Sequence, residues 1–170
     1  MKLFKHIALA AILTVGAFSA VMYSSSCTKD KCKDVTCQNG GVCSDGVCTC
    51  AIGYEGTNCE TASRAKFVKS WTASDTRVAD GHAEPTYVAP IAAGTTIVDV
   101  KIGNFWGSFT HDVIGTVSGN VITVPSQQPD GDMFYVEGTG TYDAATNKIN
   151  WSYKITDPTS VQQSYTGSWQ

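Results

Sequence analysis

Apolar and polar residues alternate along the second half of the chain, from residue 67 to residue 170, in short stretches separated by turn residues. Alternation with a period of two is typical of a strand with one buried face. In residues 95–102, for example, Val98, Val100 and Ile102 share one face of a predicted strand. No convincing stretch with a helical period occurs, so this half is predicted to be all β.

Turn signals divide this half into about seven or eight predicted strands. Gly119-Asn120 joins strands at 111–118 and 121–124 in a tight hairpin. Strands at 133–142 and 148–156 flank a loop at 143–147, in which Asn147 is expected to be left-handed. Residues 165–169 form the closing strand. The pattern predicts an antiparallel β-barrel or β-sandwich and leaves both open.

The first 26 residues have a different pattern, typical of an export signal. Lys2 and Lys5 precede an apolar run at 7–22, which is the length of a secretory signal and short for a membrane span. The alternative is an uncleaved anchor helix. Both interpretations place the rest of the chain outside the cytoplasm.

All seven cysteines lie between positions 27 and 59. Such clustering in an exported chain predicts disulfides, and an odd number leaves one cysteine to explain. Six cysteines allow 15 pairings, among which their spacing does not choose. A zinc site is the competing interpretation, disfavoured by the exported context.

Ser24-Ser25-Ser26-Cys27 resembles the cleavage box of bacterial lipoproteins. The resemblance implies removal of 1–26 and a lipid on Cys27, with residues 27–31 as a tether to the membrane. Thr28 stands where the inner-membrane retention signal has Asp, so an outer-membrane lipoprotein of the cell envelope is expected. Exposure on the cell surface is an open alternative.

Residues 32–60 resemble an EGF-like module. The likeness rests on Asn39-Gly40-Gly41, Cys48-Thr49-Cys50, and Gly53-Tyr54-Glu55-Gly56 before the last cysteine. It implies three disulfides, namely Cys32–Cys43, Cys37–Cys48 and Cys50–Cys59. Asp45-Gly46 is a hairpin signal in its own right. The calcium-binding EGF-like subclass carries Glu or Gln where this chain has Lys31, so we predict no calcium site.

Residues 61–170 resemble the calycin-like (lipocalin-like) β domains of small Gram-negative lipoproteins. The likeness is carried by residues 102–105, 115–125, 138–142 and 149–151. Calycins often begin with Gly-x-Trp, where this chain has Lys69-Ser70-Trp71. The predicted organisation is therefore a small disulfide-rich module followed by a mainly β domain.

Charge and motifs argue against several classes of function. Twelve basic and 15 acidic residues give a net charge of −3, without the basic footprint of a nucleic-acid-binding protein. No Gly-x-Ser-x-Gly motif occurs, and His82 and His111 are the only histidines after the signal. We therefore predict no enzyme, no cofactor and no metal site. An envelope hydrolase with an unrecognised site is the alternative.

Aromatic residues are the remaining functional candidates. Trp151 and Tyr153 share one face of a predicted strand, and Trp106 is expected nearby. Such side chains line pockets for apolar ligands or glycans, but they also form cores. The sequence predicts a non-catalytic lipoprotein whose EGF-like spacer presents a β domain to a small apolar or glycan ligand or a protein partner. A purely structural surface role is the third alternative.

Overall fold

The computed structural model describes residues 30–170. The predicted signal peptide at 1–26, the lipidation site at Cys27 and most of the tether at 27–31 lie outside the described residues. Residues Cys32–Gln170 form one compact unit. Within the described part of the chain, no helix is long and apolar enough to cross a membrane.

A disulfide-rich module comes first. Strands β1 (Val42–Ser44) and β2 (Val47–Thr49) form a hairpin that turns at Asp45 and Gly46, both with positive φ, as predicted. Strand β3 (Tyr54–Glu55) pairs with β4 (Thr61–Ala62). Three disulfides cross-link the module in the pairs that the resemblance implies, Cys32–Cys43, Cys37–Cys48 and Cys50–Cys59. So short a segment buries little apolar surface, and its stability depends on these bonds.

The rest of the chain is a closed antiparallel barrel of eight strands. Each strand pairs with the next along the chain, and the last pairs with the first. The strands are β5 (Ser70–Arg77), β6 (Tyr87–Ala93), β7 (Asp99–Ile102), β8 (Val113–Ser118), β9 (Val121–Gln127), β10 (Tyr135–Asp143), β11 (Lys148–Thr156) and β12 (Gln162–Trp169).

The inward face of every strand contributes to one core, which is rich in aromatic residues. Trp71, Trp151 and Trp169 are all buried inside the barrel. Gly140 of β10 leaves room for one of these rings, since a Cβ on it would stand 2.7 Å from the Trp151 ring. An eight-stranded barrel is just wide enough for side chains to fill, and this one is filled.

The structure differs from the predicted strands in several places, and the largest difference is at 95–98. These residues, predicted as part of a strand, form a loop in which both main-chain groups of Thr96 bond to side chains, and only the Val98 carbonyl accepts from β8, from the Val117 N–H. The Arg64 guanidinium donates to the Thr96 carbonyl, and the Thr96 N–H donates to Asp99 Oδ2. Neither β5 nor β6 was given a range in the prediction, and β6 carries Pro90 in its middle, a residue that is rare inside strands.

The module contacts one end of the barrel. Gly53 packs against Ile97 of the β6–β7 loop. Arg64, in the segment between β4 and β5, donates at the same end to the carbonyl oxygens of Gly94 and Asp99, at 3.3 and 3.2 Å. Lys66 forms an ion pair with Glu55 of the module at 2.8 Å and donates to Asn120 of the β8–β9 hairpin at 2.7 Å. Because loops alternate between the ends of an antiparallel barrel, the other four loops lie at the opposite end.

Candidate functional site: the aromatic mouth of the barrel

We call this opposite end the barrel mouth; it consists of the loops at 78–86, 103–112, 128–134 and 157–161. The 103–112 loop turns inward at the short 3-10 segment Phe105–Gly107. Phe105 is fully buried, with its ring 5.2, 4.9 and 5.4 Å from the rings of Trp151, Tyr153 and Trp169. Phe105 therefore fills the barrel beneath the mouth, and a ligand would meet the mouth first.

Within the barrel, unusual backbone conformations are concentrated in the mouth loops. Asn104, Trp106, Met133 and Ser160 all have left-handed φ values, of 50°, 61°, 67° and 67°. For a bulky residue such as Trp or Met this conformation costs on the order of 1–3 kcal/mol and persists only where neighbours enforce it. Strain of this kind is common at binding sites, and the mouth is therefore a candidate binding site.

An aromatic pocket of about 140 Å³ lies in the mouth. The Trp106 ring centroid is 6.2 Å from that of Phe134 and 5.9 Å from that of Tyr165, with the ring planes inclined by 39° and 63°. Asp157 and Gln163 supply the polar part of the lining. The complete lining is Trp106, Phe134, Ile155, Asp157, Val161, Gln163 and Tyr165.

A buried carboxyl group holds the floor of the mouth in place. Asp75, on the inward face of β5, is only 1% exposed. It accepts hydrogen bonds from Tyr87 Oη at 2.5 Å, Tyr153 Oη at 2.6 Å and Trp169 Nε1 at 3.1 Å. The Trp106 N–H donates to Tyr87 Oη at 3.0 Å, so the strained turn that carries Trp106 is tied to Asp75 through one tyrosine.

Burial, followed by the negative charge of Asp75, raises the pKa of Tyr87 far above its usual range. Burial, followed by repulsion from Tyr87 and Asp75, does the same to the pKa of Tyr153. Both hydroxyl groups therefore keep their protons in the folded protein and remain donors to the Asp75 carboxyl.

Alkaline pH is expected to destabilise the fold through these two tyrosines. Their pKa is raised in the folded state, so their contribution is complete below the unfolded-state pKa of about 10 and is lost as pH rises above that value. The free energy of unfolding should fall above about pH 10, and the tyrosinate absorbance of Tyr87 and Tyr153 should appear only as the barrel unfolds. Burial also raises the pKa of Tyr165, which adds a third late-titrating group. In Tyr87→Phe the number of late-titrating groups should drop by one; early titration of Tyr87 and Tyr153 in the wild-type protein would contradict the buried network.

The structure separates the three aromatic residues singled out in the sequence. Trp151 and Tyr153 do share a strand face, but that face lies inside the barrel and both side chains are at most 3% exposed. Trp106 lies in the mouth pocket. The sequence reasoning missed Asp75, although a signal was present: alternation from Trp71 through Ala73 puts this acidic residue on the apolar face of β5.

The two histidines lie in mouth loops. His111 Nδ1 is 2.9 Å from Asp130 Oδ1, and its side chain is 73% exposed. Hydrogen bonds, the Thr110 N–H first, lower the pKa of Asp130 to about 2. Thr110 Oγ1 contacts the same His111 nitrogen at 3.2 Å, so the three groups do not form a relay from nucleophile to base to carboxylate. His82 donates its N–H to Asp80 Oδ1.

Two larger depressions lie elsewhere on the surface. One of about 340 Å³ crosses the outer wall of β9–β12, over strand residues such as Thr139, Ser152 and Ser164. Another of about 380 Å³ lies on the module. Neither contains a cluster of aromatic rings like that of the mouth. Among residues 30–170, no group of three or more His, Cys, Asp or Glu side chains could hold a metal ion.

Comparison with known proteins leaves the function to be argued from this geometry. No protein-family model matches the sequence. No curated protein matches it either.

Proposed function

We propose that the chain is a non-catalytic lipoprotein of the cell envelope, anchored in the outer membrane through a lipid on Cys27. In this proposal an EGF-like module is a stiff spacer, and the calycin-like barrel binds a ligand at its mouth. The single observation that carries the proposal is that the module contacts one end of the barrel while the aromatic pocket lies at the other.

The module has the features that an EGF-like spacer needs. Its disulfides link the first cysteine to the third, the second to the fourth and the fifth to the sixth of the six after Cys27, and the two strands of its β-hairpin carry Cys43 and Cys48. Gly53 of the module packs against Ile97 of the β6–β7 loop, and Glu55 pairs with Lys66, which donates to Asn120 of the β8–β9 hairpin. A module held in this way keeps a fixed position on the barrel.

The mouth pocket has the chemistry of a binding site. Its lining is mostly aromatic and aliphatic, with one carboxylate and one amide to orient a ligand. Nucleophilic catalysis needs a base within hydrogen-bond reach of the nucleophile, and the lining contains no Ser, Cys, Lys or His. Binding therefore fits these residues better than group transfer.

Anchoring is tested by mass spectrometry of the mature protein from a Gram-negative host. The expected amino-terminal peptide begins at Cys27 with acyl chains attached, and Cys27→Ala should release the protein from the membrane fraction. An intact Met1, or a Cys27 thiol that reacts with an alkylating reagent, would contradict lipidation.

Binding is tested by titrating residues 28–170 with panels of glycans, fatty acids and small amphiphiles while tryptophan fluorescence is recorded. Trp106 is only partly buried whereas the other three tryptophans are buried, so a ligand in the mouth should change its emission, and calorimetry should show weaker binding to Trp106→Phe. A hydrolytic activity on an envelope polymer that disappears in His82→Ala with His111→Ala would contradict the non-catalytic proposal.

A further inference from the structure

The rings in the mouth are arranged around a corner and not along a plane. Trp106 is inclined by 39° to Phe134 and by 63° to Tyr165, and a fourth ring, Phe109, lies 6.0 Å from Trp106 at 48°. The apolar C–H face of a sugar stacks best on the exposed face of an aromatic ring. Several rings inclined to one another around a small space are typical instead of a cage that binds a compact group.

The pocket also carries a negative charge. Asp157 Oδ1 accepts hydrogen bonds from the Thr159 N–H at 2.8 Å, Thr159 Oγ1 at 2.7 Å and the Val161 N–H at 2.9 Å. These bonds, Thr159 first, lower the pKa of Asp157, so that it stays ionised. The lining contains no Lys, Arg or His to neutralise it. A positively charged ligand would therefore gain both from the carboxylate and from the faces of the rings.

The size of the pocket limits what can enter. A space of about 140 Å³ has room for one compact group. A trimethylammonium head is a compact cation of that size.

We propose that the barrel mouth binds the head of a small organic cation, a methylated ammonium group, between Trp106, Phe134, Tyr165 and Asp157. This inference rests on the proposed function and names the class of ligand for the same pocket. Free cations and the headgroups of lipids share this chemistry, and the experiment separates the two sources.

The experiment compares choline with dimethylbutanol, its uncharged carbon analogue, on the wild-type protein, with the Trp106 indole resonance as the readout. Choline is expected to shift this resonance in a saturable way and to bind at least about 5-fold more tightly than dimethylbutanol. Vesicles of phosphatidylcholine, compared with vesicles of phosphatidylglycerol, test the lipid source. Competition of the phosphatidylcholine vesicles with choline would assign a lipid headgroup, and its absence would assign a free cation.

Two variants locate the cation. Asp157→Asn keeps an oxygen that accepts from Thr159 and Val161 in the 157–161 loop, but removes the negative charge. Trp106→Phe replaces the indole with a smaller ring at the same position of the pocket. Each should weaken choline binding by about 3- to 30-fold, as measured by isothermal titration calorimetry, which does not depend on the indole of residue 106. Asp143→Asn is the matched control, because Asp143 closes the β10–β11 loop at the other end of the barrel through Ala145 and Thr146. It should leave choline binding unchanged.

The outcomes distinguish this inference from the proposed function. Equal binding of choline and dimethylbutanol, or undiminished choline binding in Asp157→Asn, would overturn the cation site while leaving a ligand site in the mouth. A neutral glycan that shifts Trp106 where choline does not would do the same. If no ligand of any class perturbs the mouth, both the inference and the proposed function fail.

Discussion

Replacing Asp75 with alanine is expected to lower the free energy of unfolding by about 3–5 kcal/mol, the largest effect of any single substitution that we predict. The change removes the acceptor of two tyrosine hydroxyl groups and one indole N–H inside the barrel. A buried donor left without a partner costs about 1–3 kcal/mol, and three donors lose theirs together. Urea unfolding followed by tryptophan fluorescence measures the loss.

Asparagine at position 75 should be less harmful than alanine. Its amide oxygen can accept from Trp169 while its NH₂ group faces the tyrosine hydroxyl groups, which accept as well as donate. Asp143→Ala is the matched control, since it removes a hydrogen-bonded carboxylate from the surface and should cost far less. An Asp75→Ala protein as stable as wild type to within about 1 kcal/mol would mean that the network does not hold the barrel together.

Reduction of the three disulfides is expected to unfold the module and to leave the barrel folded. Each disulfide of a small exported module contributes about 2–5 kcal/mol, and the module buries too little apolar surface to fold without them. The barrel has a continuous core and contains none of the cysteines. All four tryptophans lie in the barrel, so near-ultraviolet circular dichroism should keep its tryptophan signals in reductant.

Reduction also tests the predicted division of the chain into 32–60 and 61–170. Residues 32–170 pack as one compact unit, so the two parts are separated only if one unfolds without the other. Hydrogen exchange should show loss of protection in 32–60 alone. Glu55→Ala, which leaves the disulfides intact and removes the ion pair with Lys66, should reproduce the effect of this module contact on the barrel. Melting of both parts in a single transition on reduction would contradict the boundary.

Local features of the fold could be predicted from the sequence. Strand β11 at Lys148–Thr156 and the hairpin at Gly119-Asn120 have the predicted positions, and Asn147 is left-handed. Each is encoded by a few neighbouring residues, through side-chain alternation or a turn preference. Closure of the barrel was left open, because it depends on pairing β12 with β5, for example Thr166 with Thr76, across a long stretch of chain.

The candidate site was predictable only in part. Trp106 was named from the sequence, but its place depends on the left-handed turn at Phe105–Gly107 and on the bond from its N–H to Tyr87. Which face of β11 points inward depends on its neighbour, where Gly138 and Gly140 make room for Tyr153 and Trp151. Such long-range pairings are not encoded by the spacing of residues along one strand.

The most direct test of a ligand site in the barrel mouth is an assigned amide and indole resonance map of residues 28–170, recorded with and without the ligand panels. We predict that the Trp106 indole and the amides of 103–112, 128–134 and 157–163 shift together. The indole of Trp71, which donates to the Phe67 carbonyl beside the module end, should not move. Shifts confined to the module or to the outer wall of β9–β12, with the mouth unchanged, would contradict the proposal.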